Sequence, residues 1–426
     1  MNRVIEALVP ARLGSAYRWL LASSWTTNLG DGIALAAGPL LIASLTDDVF
    51  LVSLAALLAW APPLMFSLYA GVLSDRLNRR SIMLVANAAR LAVLAVMAVT
   101  LFAGKLSVVG ALAALGLFAA AEVFADNTSA TLAPMLVHRD DLALANARLQ
   151  SGFITLNQLA GPPIGAALFA AGSVWPFATQ AVLIGAALLL ISRIRLPVQS
   201  RDQSDRPGSV RRDITEGFRW TVRNAAVRTL SLTILIFNIT FGAAWSVLVL
   251  YAQHRLGLGA VGFGLLTTVS AVGGLLGTAL YGWITRRVSL GNVMRVGLII
   301  ETVTHLGLAI TTSAWLASLI FFVFGAHAFI WGTTSVTVRQ RAVPTHLQGR
   351  VRSIHTISVF GGLVAGSAIG GRLATHFGVT APFWFAFFGS ALFVVLLWRQ
   401  LTHIAHSDEQ VSSRPSPTAE GVLSER

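Results

Sequence analysis

The chain contains no cysteine, which excludes disulfides, thiolate nucleophiles and cysteine-ligated metals. Charged residues make up only 12% of its 426 residues, far fewer than a soluble chain of this length needs to cover its surface. P-loop, HExxH and GxSxG motifs are absent, and the GxGxxG pattern at 257–262 follows no strand, so it is read as a turn. These absences predict that the protein is not an enzyme and holds neither a metal nor a cofactor.

Apolar runs take the place of the missing charge. Hydrophobic residues reach 55% and the mean hydropathy is +0.71. The runs are long enough for helices that cross a bilayer, which need about 20 residues, and they are continuous, which excludes the alternation of a membrane barrel. The sequence predicts an all-α membrane protein with twelve transmembrane helices, at 17–44, 50–73, 81–103, 108–132, 143–172, 175–194, 228–253, 261–285, 292–312, 314–338, 350–374 and 380–402.

The basic residues alternate from side to side with each predicted crossing. Of 31 lysines and arginines, 27 fall at the two termini and in the even-numbered connections. Only Lys105, Arg255 and Arg372 fall on the other side, and Arg90 lies inside a span. This asymmetry is the positive-inside pattern, and it predicts that both termini are cytoplasmic. The net charge of +13 is then a topological signal and a contact for anionic lipid headgroups rather than for nucleic acid.

The predicted spans divide into two halves that resemble each other. Six-helix bundles are expected at 1–195 and 228–404, with a cytoplasmic linker containing an amphipathic helix at 196–227 and a disordered tail at 405–426. Asn28 of the first span aligns with Asn238 of the seventh, and GPPIGA (161–166) falls opposite GSAIGG (366–371), an offset of 205 residues. Two matches at nearly the same offset indicate a duplicated six-helix unit.

The connection GVLSDRLNRR between the second and third spans resembles the signature loop of the major facilitator superfamily. This resemblance implies two six-helix bundles around a central cavity, with the loop acting as a cytoplasmic latch that holds the outward-open state. Asn78 stands where glycine is common, and the alternative interpretation is an ordinary basic turn. The latch is expected to comprise Gly71, Asp75, Arg76, Arg79, Arg80 and, as the partner of Arg79, Asp126.

A second segment, GPPIGA in the fifth span, resembles the antiporter motif of exporters in that superfamily, through Gly161, Pro162 and Gly165. Proline removes a backbone donor and glycine permits close helix contact, so the segment can bend and pack tightly. Packing alone is the alternative explanation. Across 19–398 the chain further resembles the branch of macrolide efflux proteins and the enterobactin exporter, through NLGDGI, DLALANARLQ and RQRAVPTHLQGRV.

Ionisable residues inside a membrane are costly and are therefore functional candidates. Asp31 lies roughly 21 Å into the first helix at 1.5 Å per residue, with no basic residue within one turn. It is expected to carry the coupling proton; capping a broken helix or pairing with a distant arginine are the alternatives. Arg90 and Glu122 have similar depths, and a buried pair between them is predicted; a structural ion pair is expected, and a proton relay is the alternative.

Two further groups of residues are weaker candidates. Glu301 and His305 are one turn apart in the ninth span and are expected to be packed or water-exposed. The substrate cavity is expected to be apolar and aromatic. Its candidate residues are Trp25, Asn28, Asn157, Gln158, Asn238, Trp245, His327 and Trp331.

These features together predict a monomeric, proton-coupled exporter in a bacterial inner membrane. Its cargo is expected to be small lipophilic molecules, drugs or a secreted metabolite such as a siderophore, with a proton gradient as the energy source and no cofactor. An importer or lipid transporter on the same fold is one alternative. A membrane scaffold or sensor that transports nothing is another.

Overall fold

The computed structural model describes residues 10–195, 210–344 and 347–400, and in these ranges it is helical without a strand. Helix α5 consists of Leu142–Gly152, a π-helical segment Phe153–Ala160 and Gly161–Ala171. The other helices are α1 Ser15–Leu45, α2 Val49–Arg76, α3 Arg79–Phe102, α4 Val108–Leu136, α6 Trp175–Ser192, α7 Val210–Arg223, α8 Ala225–Trp245, α9 Ala260–Thr285, α10 Leu290–Ile310, α11 Ala314–Ala342, α12 Gln348–Phe377 and α13 Ala381–Leu397.

The prediction of an all-α membrane protein is confirmed. Ten of these helices are long and apolar enough to cross a membrane. The three-part α5 and the shorter α13 supply the remaining two predicted crossings. Helix α7, between the halves, is the helix predicted within the linker, but residues 196–209 and the predicted disordered tail lie outside the described residues.

Polar caps fix where many of the membrane helices begin. A side-chain oxygen at the N-cap accepts a hydrogen bond from a backbone N–H of the first turn, which stabilises the helix start by about 1 kcal/mol. These caps occur in both halves of the chain, at Asp48, Asn78, Ser107, Asn224, Ser289 and Ser313.

Each half contains a pair of helices held unusually close by glycine. In α5, a Cβ on Gly165 would lie 2.9 Å from the Ile33 carbonyl carbon of α1. In α12, a Cβ on Gly370 would lie 2.7 Å from the Cα of Ala243 in α8. Gly165 and Gly370 are 205 positions apart, so the repeat seen in the sequence corresponds to a repeated helix contact.

The two halves meet at the arginine-poor ends of their helices. One hydrophobic core there combines residues of both halves, including Leu41, Val52, Leu248 and Phe263. At the arginine-rich ends, the hydrophobic clusters found among the described residues each draw on a single half. The central space is therefore closed at the arginine-poor end.

The arginine-rich end is correspondingly open. A wide groove of about 660 Å³ runs along the arginine-rich part of α11, lined by residues of this helix such as Ala328, Gly332 and Gln340. We describe this conformation as open toward the arginine-rich side.

Candidate functional site

The site is centred on Asp31, which glycines on either side allow to lie deep in the first bundle. A Cβ on Gly30 would lie 3.2 Å from Gln180 Cγ of α6, and a Cβ on Gly32 would lie 2.8 Å from the Asn157 Cα of α5. Small residues therefore let α5 and α6 approach α1 at this level. Asp31 itself is 8% exposed, and Gln180 Nε2 donates a hydrogen bond to its Oδ1 at 3.5 Å.

Asp31 forms an ion pair with Arg90 of α3, whose side chain is completely buried. Arg90 Nη1 also donates to Asn87 Oδ1 at 3.1 Å, and its guanidinium carbon lies 4.5 Å from the centre of the Phe118 ring. The structure thus corrects the predicted Arg90–Glu122 pair, because Asp31 is the carboxylate that Arg90 contacts. Asp31 is therefore paired with a distant arginine, 59 positions along the chain, which was one of the alternatives considered for it.

Glu122 and Asp126 lie one turn apart on α4, within electrostatic range of Asp31 and Arg90. Glu122 is partly buried, whereas Asp126 is exposed. Asp126 lines a narrow polar pocket between α1, α3 and α4, together with Asn28, Asn87 and Arg90. Three carboxyl groups therefore lie around one guanidinium, and we call this group of four side chains the acidic cluster. When fully ionised it carries a net charge of −2.

The same geometry removes Asp126 from the predicted latch. Helix α4 continues ten residues beyond Asp126 to Leu136, about 15 Å at 1.5 Å per residue. Arg79 begins α3 and reaches this far end of α4, where its Nη1 lies 2.7 Å from Met135 Sδ. Asp126 lies beside Arg90 in the polar pocket, away from the latch, because the helix is longer than its apolar run indicates.

The remaining latch residues stay together at the arginine-rich side. Gly71, Asp75 and Arg76 lie in the last two turns of α2, and the side chain of Asp75 is outside the described part of the structure. Arg80 Nη2 donates to the Ser192 carbonyl of α6 at 2.6 Å, so this arginine contacts its own half. The latch role of these residues stays a prediction.

The antiporter motif lies directly against the acidic cluster. Gly161 of α5 faces Gly32 of α1, the residue after Asp31, so closely that a Cβ would displace the backbone. The preceding π-helical turn was not predicted, although two consecutive prolines were its signal. Pro162 and Pro163 have no backbone N–H, so the regular α-helical bonding pattern cannot continue through them. Segments of π-helix occur frequently at functional sites.

The polar cavity candidates separate into different places. Asn28 lies in the polar pocket, and the buried Asn157 accepts a hydrogen bond from Gln158 Nε2 at 2.6 Å. Trp25 packs against Gly152 and its Nε1 donates to the Arg148 carbonyl at 3.1 Å, so it ties α1 to α5. Asn238 packs against Gly362 at the contact between α8 and α12.

Trp245 belongs to an aromatic cluster in the second half. Its ring stacks on Phe241 at 4.2 Å and lies 4.8 Å from Phe324, and Phe321 completes the group at 5.3 Å. Phe241 is 210 positions after Asp31, the same interval that separates Asn28 from Asn238. At the position equivalent to Asp31, the second half therefore has an aromatic side chain in place of a charged one.

The last two candidates face a neighbouring helix. His327 and Trp331 lie on α11 against Gly297 of α10, and His327 Nε2 is 3.6 Å from Glu301 Oε2. His327 is 6% exposed. The expectation that His327 lines the cavity is corrected, because its ring is enclosed between α10 and α11.

Comparison with known proteins places the sequence among membrane transport proteins. A family profile described as transmembrane secretion effector matches residues 5–426. The multidrug efflux pump Tap of Mycolicibacterium fortuitum is 27% identical over 382 residues, which cover 85% of this chain and 90% of the pump.

Solved structures share the fold at low sequence identity. A mutant of the nucleoside transporter NupG has a TM-score of 0.73 at 12% identity, covering 91% of this chain and 100% of that one. A bacterial homologue of the iron transporter ferroportin, in an inward-facing state, has a TM-score of 0.72 at 16% identity, covering 91% and 98%.

Proposed function

The chain belongs to the transmembrane secretion effector family of the major facilitator superfamily, and on that premise we propose that it is a proton-coupled exporter of lipophilic, preferentially cationic small molecules. Its fold and relatives are those of multi-pass membrane transporters, which are not enzymes. The family and the fold carry the statement that it is a transporter. Its coupling ion, direction and cargo are the subject of the proposal.

The observation that carries the proposal is the excess of carboxyl groups in the first bundle. Arg90 keeps its charge under physiological conditions, and Asp31 balances it. Glu122, which is partly buried, and Asp126, which lines the polar pocket, then add two negative charges within a membrane-spanning bundle, where unbalanced charge is costly. Either protons or a cationic cargo lower this cost, so the two ligands compete for the same groups.

This competition supports antiport. A lipophilic cation that binds near Glu122 and Asp126 releases the protons held there, and protons that return from the other side displace the cation. Because each ligand binds better when the other is absent, their binding is linked in both directions. In this account Asp31 fixes Arg90, and the exchangeable protons are on Glu122 and Asp126.

A path of close contacts connects the cluster to the other half. Gly32 touches Gly161 of α5, and further along α5 a Cβ on Gly264 of α9 would lie 3.0 Å from the Pro162 carbonyl oxygen. A change of charge beside Asp31 therefore acts on the helix that lies at the interface between the halves. Interfaces of this kind rearrange between discrete states, as alternating access requires.

The facing half offers the apolar part of a binding site. Phe241, Trp245 and Phe324 form a rigid aromatic surface, and such surfaces bind lipophilic cations through ring faces as well as through burial. The relative named as a multidrug efflux pump supports drug-like cargo. An acidic siderophore fits less well, because it would meet the net negative charge of the cluster.

The positive-inside rule supports the orientation of the protein in the membrane. It assigns the arginine-rich side, and with it both termini, to the cytoplasm. The described conformation then opens toward the cytoplasm, where an exporter loads its cargo. We place the protein as a monomer in a bacterial cell membrane, in contact with anionic lipids and with a proton gradient as its energy source.

Uptake into inverted membrane vesicles tests the proposal. Tetraphenylphosphonium serves as the cationic probe and chloramphenicol as the uncharged one, with the vesicle interior made acidic. We expect gradient-driven uptake of the cation that a protonophore abolishes. Glu122→Gln and Asp126→Asn should each reduce it by about tenfold, equivalent to about 1.4 kcal/mol.

The controls separate the alternatives. Chloramphenicol uptake should be less sensitive to both substitutions, because an uncharged probe does not use the carboxylates. Uptake that survives the protonophore would overturn proton coupling. Accumulation only in right-side-out vesicles would favour the importer, and no uptake of either probe by correctly folded protein would favour the scaffold or sensor.

A further inference from the structure

The second half contains a buried polar stripe that the proposed export cycle does not use. Gly297, Glu301 and His305 recur at intervals of four residues along α10, so they share one face. His327 and Trp331, also four residues apart, face this stripe from α11. Glu301 and His327 lie in neighbouring helices and meet in the interior of the second bundle.

The two titratable side chains are in contact and shielded from solvent. His327 Nε2 lies 3.6 Å from Glu301 Oε2, with the two side chains 4% and 11% exposed. Gly297 provides the space for the ring, because a Cβ there would lie 2.9 Å from His327 Nδ1 and 2.8 Å from Trp331 Cδ1. The pair therefore occupies a shaped site, enclosed by an indole and by the backbone of α10.

Few other titratable groups face this pair. His305 is fully buried one turn along α10, and both its ring nitrogens lack a hydrogen-bond partner among the described residues. In the described ranges, the other charged or titratable side chains of α10, α11 and the helices packed against them (α8, α9 and α13) lie near the arginine-rich ends. These are Arg228, Tyr281, Arg295, Arg339 and Arg341. At the opposite end of α10, about two turns or more from Glu301, Tyr251 donates to the Leu308 carbonyl and Arg255 donates to the Ile310 and Thr311 carbonyls.

The charges of the pair depend on one proton. A carboxylate beside a neutral imidazole carries a net charge of −1, and one added proton neutralises the pair, whichever side chain holds it. Neutrality is favoured in a buried site. Imidazole binds and releases protons readily, unlike the guanidinium of Arg90, which keeps its proton.

We propose that Glu301 and His327 form a second proton-binding site, located in the second bundle and separate from the acidic cluster of the first. One proton enters the pair and the same proton leaves it, and no bond other than its O–H or N–H bond forms or breaks. The site adds one proton to each transport cycle. This last statement rests on the proposed proton coupling, whereas the binding of a proton does not.

The positions support a duplicated origin for the site. Glu301 is 211 positions after Arg90, and His327 is 205 positions after Glu122, close to the offsets of the internal repeat. In the first half, however, the residue of the third helix contacts Asp31 of the first helix rather than Glu122, so the direct pair between the third and fourth helices belongs to the second half. The proton-releasing base lies on the fourth helix of the second half.

Titration of purified protein without any cargo tests the proposal. Histidine-labelled protein in detergent is followed by nuclear magnetic resonance, and the His327 signal is assigned as the one lost in His327→Gln. We expect this signal to titrate and its midpoint to move in Glu301→Gln. Thr302→Val is the matched control, because Thr302 is buried beside Glu301 but bonds only the Leu298 carbonyl among the described residues, and it should leave the midpoint unchanged.

Infrared spectroscopy provides a second test that does not need the Glu301→Gln variant, in case that variant fails to fold. The carbonyl band of protonated Glu301 should appear as the pH falls and should shift in His327→Gln. A pair in which neither the His327 signal nor the Glu301 carbonyl band responds to pH, or a His327 signal that titrates identically in Glu301→Gln, would overturn the site.

A flux measurement in proteoliposomes then tests its role. The number of protons exchanged per tetraphenylphosphonium ion should fall by one in His327→Gln. An unchanged ratio would overturn the role in transport. If the native protein shows no proton-coupled flux, the proposed function fails while the titration still decides whether the site exists.

Discussion

The two halves of the molecule each contain a buried charged cluster, and the two clusters differ in their basic residue. In the first half, Arg90 contacts Asp31 and lies in electrostatic range of Glu122 and Asp126. In the second half, His327 contacts Glu301. An arginine holds a fixed positive charge, so any proton that moves in the first cluster moves on a carboxyl group, whereas a histidine can itself release the proton.

The difference in base also predicts different structural roles. Removing Arg90 leaves a buried carboxylate unpaired, which costs about 3–5 kcal/mol. Removing His327 leaves the Glu301 carboxylate, which can take up a proton. The loss in stability should then be that of an unsatisfied hydrogen bond, about 1–3 kcal/mol.

The largest predicted effect follows from this contrast. We expect Arg90→Gln to lower the apparent Tm in detergent much more than His327→Gln, as measured by tryptophan fluorescence. Arg372→Gln, an arginine at the arginine-poor end stacked on Phe50, is the control and should cost little. Equal losses in the Arg90 and His327 variants would contradict the distinction between a fixed and a releasable charge.

The glycine contacts offer a second comparison of the halves. Gly165→Ala inserts a methyl group between α5 and α1, and Gly370→Ala does the same between α12 and α8. Overpacking of this kind costs about 1–3 kcal/mol, so both variants should show similar losses in thermal stability. Gly185→Ala, at a position with open space around it, should show none. A loss in only one half would argue against equivalent packing.

A smaller effect is expected from the aromatic cluster of the second half. Trp245→Ala removes ring contacts worth about 1 kcal/mol, which corresponds to about fivefold weaker binding of tetraphenylphosphonium by equilibrium dialysis. Trp315→Ala is the control, because Trp315 is 88% exposed at the start of α11. Unchanged affinity in Trp245→Ala would place the cargo away from these rings.

The smallest predicted effect concerns the linker helix. Glu216 of α7 forms a 2.7 Å ion pair with Arg350 of α12, and the two side chains are 45% and 34% exposed. Pairs this exposed contribute less than about 1 kcal/mol, so Glu216→Gln should barely change thermal stability at moderate salt. A large loss would show that α7 holds the second half together.

Much of the fold could be predicted from the sequence because its determinants are local. Apolar runs and alternating arginines predicted the spans, and the matched Gly165 and Gly370 indicated the repeat. The pairing of Asp31 with Arg90 was not predicted, because it depends on how α1 and α3 rotate about their axes. That rotation is set by contacts such as those of Gly30 and Gly32 with α5 and α6.

Errors in the predicted site have similar physical causes. The fourth span was predicted to end at 132, but α4 continues to Leu136, which moves Asp126 one turn further from the latch. Trp25 was expected in the cavity, but Gly152 leaves a space on α5 that its ring fills. In both cases the sequence identified a candidate residue by its type but did not predict the neighbouring residues that it contacts.

Proton release on cargo binding is the most direct measurement of the exchange of protons for a cation at Glu122 and Asp126. Purified protein in weakly buffered detergent is mixed with tetraphenylphosphonium, and the change in pH is recorded. We expect the native protein to release protons and the double variant Glu122→Gln/Asp126→Asn to release none from the first cluster, while Thr302→Val should behave like the native protein. Undiminished release from the double variant would contradict the assignment of the exchangeable protons to Glu122 and Asp126.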